Sequence, residues 1–240
     1  MNKTMKRILT GILVFVILLG AGAGVYLSDY YHADADACAA LASGDGYTVT
    51  VTKDLAIFSP SLPDAGFIFY PGGKVEYTAY APLMAELAKR NILCVIPRMP
   101  GNLAVLNSDA ASGIPEQYPQ VEHWYIGGHS LGGSMAAAYL ADHPETYSGL
   151  ILLASYSTSD LSGSCIPVLS LVGTEDGVLN RESYGKYHGN FPDNTTEIVL
   201  EGGNHAFFGS YGPQDGDGDA LLSPREQTVL TAEYILKFLS

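Results

Sequence analysis

Cysteine is scarce in this sequence, and no internal repeat or low-complexity segment is present. The three cysteines are an odd number and form no cluster with the spacing of zinc ligands, which argues against a structural zinc site. Cys94 lies in an apolar run typical of a strand, where a small buried side chain is expected. Cys38 and Cys165 therefore remain as the candidates for a disulfide.

Basic residues are also few, with 12 Lys and Arg against 25 Asp and Glu, for a formal net charge of −13. Three of the positive charges, Lys3, Lys6 and Arg7, stand at the N-terminus, and without them the net charge of the remainder is −16. Such a surface argues against nucleic acid or anionic lipid headgroups as partners of this larger part. Composition leaves the oligomeric state open.

The N-terminal segment predicts a membrane-spanning helix. The basic residues precede an uncharged stretch, residues 8–27, that is long enough to cross a bilayer. Positive charge is typical of the cytoplasmic side, so we expect the rest of the chain outside a bacterial cell membrane. Small residues at 21–23 and 33–37 also allow cleavage as a signal peptide, which would make the protein secreted. The predicted organisation is a signal-anchor or signal peptide over residues 1–27, a tether over 28–46 and one domain over 47–240.

Strands and helices alternate through the predicted domain. Apolar or β-branched runs predict eight strands, at 47–51, 55–58, 67–70, 93–96, 124–126, 150–153, 169–172 and 198–200. Helical patterns lie at 81–90, 109–118, 131–141, 181–187 and 225–239. This order predicts an α/β fold with a mainly parallel sheet of about eight strands and helices on both faces. In such sheets, sites form at the carboxyl ends of the strands.

The segment Gly128-His129-Ser130-Leu131-Gly132 joins a predicted strand directly to a predicted helix. A serine at such a sharp turn takes a strained backbone conformation that exposes its hydroxyl, and the flanking glycines allow the backbones to approach. The pattern favours Ser130 as a nucleophile over a serine in an ordinary glycine-rich turn.

Two later strands end in residues that complete this chemistry. Asp176 follows the strand at 169–172, with Glu175 as the alternative acid, although Asp-Gly is also common in plain turns. His205 follows the strand at 198–200, and a neutral imidazole there is a candidate general base. The chain order Ser130, Asp176, His205 is the one expected for a nucleophile elbow of this type.

When a serine attacks a carbonyl, a tetrahedral intermediate forms, and its oxyanion needs two backbone N–H donors. Leu131 would supply one donor. The second is expected from the glycine-rich loop after the strand at 67–70, at Gly73 or Lys74, although this loop also fits a plain turn between strand and helix.

These residues resemble the alpha/beta hydrolase superfamily over residues 47–239. Residues 70–75, 99–103 and 202–209 resemble a small bacterial group, the fifth alpha/beta hydrolase domain family, related to dienelactone hydrolases. The resemblance implies a catalytic Ser130, Asp176 and His205, but no substrate.

The short 153–169 connection leaves no room for a lid, so we expect an open cleft. Its candidate lining residues, each of which also fits simple packing, are Met99, Tyr156, Phe207, Phe208 and Tyr211.

One acidic segment has two interpretations. Asp215, Asp217, Asp219 and Glu226 fall at ligand positions of an EF-hand-type calcium loop, but Ala220 replaces the turn glycine. The alternative, which we favour, is a solvated acidic turn followed by a helix with a Ser223–Glu226 capping box.

We therefore expect a serine hydrolase that acts on a small-molecule acyl substrate without a cofactor. The bond that it hydrolyses is expected to be an ester or a related lactone, thioester or amide bond. A non-catalytic extracytoplasmic binding protein on the same scaffold is the alternative, because a fold alone does not establish activity.

Overall fold

The computed structural model describes residues 3–240 and divides the chain after Tyr30 into two compact units. The first contains one helix, α1 (Lys3–Ser28), whose segment Met5–Ser28 includes an apolar stretch of 18 residues with a mean hydropathy of 2.5. Its 24 residues extend about 36 Å, against about 30 Å for the hydrocarbon layer. The helix is thus long and apolar enough to be a membrane anchor or signal sequence. The first two residues of the predicted N-terminal segment, Met1 and Asn2, lie outside the described residues.

The second unit, Tyr31–Ser240, is built on one eight-stranded sheet. Its strands are β1 (Tyr47–Val51), β2 (Leu55–Pro60), β3 (Ala65–Tyr70), β4 (Ile92–Pro97), β5 (Trp124–His129), β6 (Gly149–Leu153), β7 (Val168–Gly173) and β8 (Thr195–Leu200). The order is β1-β2-β4-β3-β5-β6-β7-β8. Strand β2 pairs antiparallel with both β1 and β4, and all the later pairs in this order are parallel. The predicted fold class is confirmed.

Helices cover both faces of this sheet. They are α2 (Ala35–Ala40), α3 (Ala81–Ala88), α4 (Leu131–Asp142), α5 (Arg181–Tyr187) and α6 (Pro224–Leu239). Side chains alternate along each strand, so β3 buries Phe67 and Phe69 beneath α3 and α6, whereas Ile68 and Tyr70 pack beneath α4. Two apolar cores therefore sandwich the sheet.

The connectivity reverses direction at β3. The chain passes from β3 to β4 on one side and returns to place β5 on the other, so that Tyr70 pairs with Gly128 near the strand ends. A crevice forms at such a switch point, outside the carboxyl ends of the strands. The fold thus places the loops after β3 and β5 side by side.

The predicted helix at 109–118 is wrong. This segment consists of turns and one short 3₁₀ turn at Pro115–Gln117. Gly113 takes a left-handed φ of 72°, and Pro115 has no N–H to continue a helix. The Tyr70 hydroxyl instead fixes the segment by donating to the Ser108 carbonyl and accepting from the Ala111 amide.

The segment predicted as a tether also differs, because residues 31–46 form part of the compact unit. Asp34 caps α2 by accepting from the Ala37 amide at 2.9 Å, and Ala37 is completely buried. Tyr31 pairs with Val75 in a parallel bridge. The sequence analysis missed this short packed helix because its alanine and aspartate residues show no clear helical period.

All three cysteines are free thiols. Cys94 is buried in β4, in agreement with the sequence analysis, whereas Cys38 and Cys165 are exposed. The structure contains no disulfide between the two candidates.

Candidate active site

Ser130 occupies the sharp turn between β5 and α4. Its backbone takes φ 52° and ψ −124°, a conformation that costs a non-glycine residue roughly 1–3 kcal/mol. The Ser130 amide donates to the Leu153 carbonyl at 2.9 Å, and its carbonyl accepts from the Ser155 hydroxyl at 2.7 Å. Strand β6 and the loop that follows it therefore stabilise the strained turn through both backbone polar groups of Ser130.

The flanking glycines permit a close contact between this turn and the end of β3. A Cβ on Gly128 would overlap the Tyr70 carbonyl and lie 2.8 Å from the Gly133 amide nitrogen. A Cβ on Gly132 would overlap the carbonyls of Tyr70 and Pro71. Larger residues would separate the first turn of α4 from the β3 loop and displace Ser130.

Asp176 and His205 form a buried pair at the ends of β7 and β8. His205 Nδ1 lies 2.9 Å from Asp176 Oδ2, with the two side chains 2% and 0% exposed, respectively. The other oxygen, Asp176 Oδ1, accepts from the amides of Val178 and Leu179 at 2.9 and 2.8 Å. Glu175, the alternative acid, instead accepts from the Thr174 hydroxyl.

These contacts keep Asp176 ionised. Burial acts to raise the pKa of its carboxyl, but the hydrogen bond and charge of His205, with the amides of Leu179 and Val178, hold that pKa below its ordinary value. An ionised carboxylate can only accept, so His205 Nδ1 carries the proton. The Nε2 atom of neutral His205 is consequently a proton acceptor.

His129, next to Ser130, belongs to a second buried network. The Tyr80 hydroxyl accepts from the Gly72 amide at 2.9 Å and lies 2.8 Å from His129 Nδ1. Tyr80 thereby connects the loop after β3 to the serine turn. The ring centroids of His129 and His205 are 4.5 Å apart.

The location of His129 keeps its ring neutral. Complete burial, reinforced by the nearby charge of His205, holds the pKa of His129 well below its ordinary value. A neutral His129 does not oppose positive charge on His205.

The two predicted oxyanion donors after β3 differ in their hydrogen bonding. The Lys74 amide donates to the Asn102 carbonyl at 2.8 Å. The Gly73 amide has no acceptor among the described residues, and a Cβ on Gly73 would lie 3.0 Å from Leu131 Cδ2. The Leu131 amide, at the first position of α4, also lacks an intrahelical acceptor. Gly73 and Leu131 therefore present the better-placed donors.

A cleft of about 250 Å³ opens beside Ser130. It is lined by Ser130, Leu131, Ser134, Ala154, Ser155, Tyr156, Val178, Leu179 and Asn180. A second cavity, of about 300 Å³, lies between α2, α3 and α6 and contains none of the predicted site residues. Of these two cavities, the cleft is the one that Ser130 lines.

The predicted lining residues divide into two groups. Tyr156 lines the cleft, where its ring stacks on that of Tyr187 with centroids 5.6 Å apart. Met99, Phe208 and Tyr211 are instead buried in the cores, and the half-buried Phe207 packs against one of them. The structure corrects these four, because their apolar side chains are covered by the sheet and its helices.

Sequence reasoning expected the loop at 154–165 to line the cleft but missed Val178, Leu179 and Asn180. Ala154 and Ser155 directly follow β6, in agreement with the rule that sites form at carboxyl strand ends. Val178 and Leu179 follow Asp176 and donate to it. Tyr80 has no comparable sequence signature, because its contacts to Gly72 and His129 come from tertiary packing alone.

The four carboxylates of the alternative calcium loop do not converge on a common centre. Glu226 forms the capping box of α6 with Ser223, as favoured from the sequence. Asp217 accepts from four backbone amides, and Asp215 and Asp219 are exposed. Among residues 3–240, no group of three or more His, Cys, Asp or Glu side chains is arranged to hold a metal ion.

Comparison with known proteins identifies the family. A family model described as the alpha/beta hydrolase family matches residues 66–229. The chain belongs to the alpha/beta hydrolase family. The predicted resemblance is confirmed at this level, and the relation to dienelactone hydrolases stays a prediction. No curated protein matches significantly.

Solved structures share the fold of this alpha/beta hydrolase at low sequence identity. A predicted CIB-like hydrolase from Thermoplasma acidophilum matches with 15% identity and a TM-score of 0.55, covering 80% of this chain and 97% of the other. TT1662 from Thermus thermophilus matches with 13% identity and 0.59, covering 81% and 98%. Est1E from Butyrivibrio proteoclasticus matches with 13% identity and 0.56, covering 80% and 98%. At these identities the similarity shows the fold.

The buried His129 predicts a specific pH dependence of stability. Below pH 6.5 an unfolded histidine takes up a proton that folded His129 does not, so the free energy of unfolding decreases as the pH falls. His129→Gln removes this contribution, which for one proton is at most about 1.4 kcal/mol per pH unit. Urea unfolding of the detergent-solubilised chain between pH 7 and 5 measures the difference in slope.

The control is His123→Gln, which changes an exposed histidine immediately before the same strand. Its slope should match that of the wild type. Equal slopes for His129→Gln and the wild type would contradict a neutral, buried His129.

Proposed function

We propose that this alpha/beta hydrolase cleaves an ester or a related acyl bond through a covalent acyl-serine formed on Ser130. The observation that carries the proposal is the buried Asp176–His205 pair, whose two residues follow strands that run parallel to the strand before Ser130. The family and its shared fold support hydrolysis in general. The assignment to a serine mechanism rests on these three side chains.

In the proposed mechanism, Ser130 Oγ attacks the substrate carbonyl while His205 Nε2 takes the hydroxyl proton. Asp176 keeps the Nδ1 proton in place and stabilises the imidazolium that forms. The negative charge on the former carbonyl oxygen is held by the amides of Leu131 and Gly73. Collapse of this intermediate breaks the acyl bond, and His205 returns the proton to the leaving group.

Deacylation repeats the same steps with water. His205 removes a proton from the water molecule, whose oxygen attacks the acyl carbon, and Ser130 leaves with the proton that His205 returns. The acid product departs and the starting protonation states are restored. No cofactor is needed at any step.

The cleft supports a short, neutral acyl group. Its nine lining residues include no charged side chain, and its volume of about 250 Å³ is below the roughly 300–1,000 Å³ of pockets for drug-sized ligands. The hydroxyls of Ser134 and Ser155 are already bonded to the carbonyls of Tyr156 and Ser130. These two hydroxyls are therefore engaged within the protein, and the lining offers the acyl group no charged partner.

Ser130→Ala should abolish covalent labelling by a fluorophosphonate probe, because the probe reacts with an activated serine whatever the natural substrate. Turnover of activated esters should fall by at least about 10³-fold. Labelling and hydrolysis are measured on the detergent-solubilised full chain. Ser162→Ala, at an exposed serine, is the control and should label like the wild type.

Hydrolysis by the Ser130→Ala variant at the wild-type rate would refute the assignment of the nucleophile. A folded wild type that neither labels nor hydrolyses a panel of esters, lactones, thioesters and amides would indicate the non-catalytic binding protein instead.

Acyl chain length provides a separate test of the cleft. We expect kcat/KM for acetyl and butyryl p-nitrophenyl esters to exceed that for the octanoyl ester by about 10-fold or more. Tyr156→Ala removes one wall and should reduce this preference. Tyr187→Ala, which removes only the stacking partner of that wall, is the matched control. An unchanged preference in Tyr156→Ala would contradict the proposed acyl site.

A further inference from the structure

The acidic loop between β8 and α6 contacts both loops that carry the Asp176–His205 pair. We call residues 216–218 the wedge, because they lie between the acid loop, residues 175–177, and the histidine loop, residues 204–206. A Cβ on Gly177 would lie 2.5 Å from the Gly216 carbonyl, and a Cβ on Gly218 would overlap the Glu175 carbonyl. The Asn204 side chain donates to the Gly218 carbonyl at 3.0 Å.

The Asp217 carboxylate is the centre of the wedge. Its Oδ1 accepts from the Gly177 amide at 3.1 Å and from the His205 amide at 3.2 Å, and also from Gly218 at 3.0 Å. Its Oδ2 accepts from the Ala206 amide at 2.8 Å. One side chain thus accepts hydrogen bonds from the amide of Gly177, the residue after Asp176, and from the amide of His205 itself.

These contacts account for loop positions that regular structure does not fix. Gly177, His205 and Ala206 lie outside the sheet and the α-helices, and the Asp217 carboxylate is their acceptor. Charge-assisted hydrogen bonds to backbone amides are shorter and stronger than neutral ones. Without the carboxylate, the two loops would lose the acceptor that they share.

We propose that Asp217 is a positioning residue for the hydrolase reaction, whose carboxylate holds the acid and histidine loops in the relative placement that aligns His205 with Asp176. It does not touch the substrate in this role and it is not a metal ligand. The proposal rests on the proposed function, because alignment matters only if His205 and Asp176 act on Ser130.

Asp217→Asn tests the proposal with little change in shape. The amide keeps one acceptor but turns an NH₂ group toward a backbone donor, so the loops separate. We expect kcat for a short ester to fall by about 10²-fold, the scale of small misplacements in active sites, with KM within about threefold of the wild type. The fluorophosphonate labelling rate should fall in parallel, while its endpoint still reaches one label per chain.

The endpoint separates positioning from a simple loss of folded protein, which would lower the labelled fraction instead of the rate. Asp219→Asn is the matched control, since it removes the same charge from an exposed residue of the same loop and should keep the wild-type rate. An Asp217→Asn variant with the wild-type kcat and labelling rate would overturn the proposal. So would calcium-dependent activity in the EDTA-treated wild type.

If Asp217→Asn does not fold, hydrogen exchange in the wild-type chain decides the matter. The amides of Gly177, His205 and Ala206 should exchange more slowly than that of Asp219, which has no acceptor among the described residues. Equal exchange would overturn the proposal. A wild type that never labels would overturn it together with the proposed function, whereas a labelled wild type beside an unaffected variant refutes the positioning role alone.

Discussion

The close approach of the β3 end to the first turn of α4 is the constraint on which the site depends. Only glycine at 128 and 132 lets the Tyr70 and Pro71 carbonyls lie against the turn, and this contact holds Ser130 at φ 52°. The same approach brings the loop after β3 beside α4, where Gly73 lies against the Leu131 side chain. The geometry of the proposed nucleophile and the position of the proposed oxyanion donors therefore have one physical origin.

The placement of the other two proposed catalytic residues, Asp176 and His205, depends on the parallel order of β5, β6, β7 and β8. The carboxyl ends of parallel strands lie at one edge of the sheet. Asp176 and His205, which follow Ser130 by 46 and 75 positions in the chain, are therefore brought to this edge. Strand ends alone place loops only approximately. Hydrogen bonds from Val178 and Leu179 orient Asp176, and we attribute the relative placement of its loop and the histidine loop to Asp217.

Sequence reasoning succeeded where local pattern and long-range structure agree. Every predicted strand is present because each is a short apolar run bounded by turn residues, and the Ser130 turn is encoded by its glycines. It failed where tertiary contacts decide. The Tyr70 hydroxyl fixes residues 108–111 as turns instead of a helix, and α2 packs although its sequence has no clear period. Asp217 matched a calcium motif in the sequence. In the structure its carboxylate instead accepts a hydrogen bond from the amide of Gly177, 40 residues away in the chain.

The most direct test of this account is a crystal structure of the protein after reaction with a fluorophosphonate. The account predicts phosphorus bonded to Ser130 Oγ, with the phosphonyl oxygen about 2.7–3.1 Å from the amide nitrogens of Leu131 and Gly73. An adduct on another residue, or a phosphonyl oxygen directed away from these two amides, would contradict it.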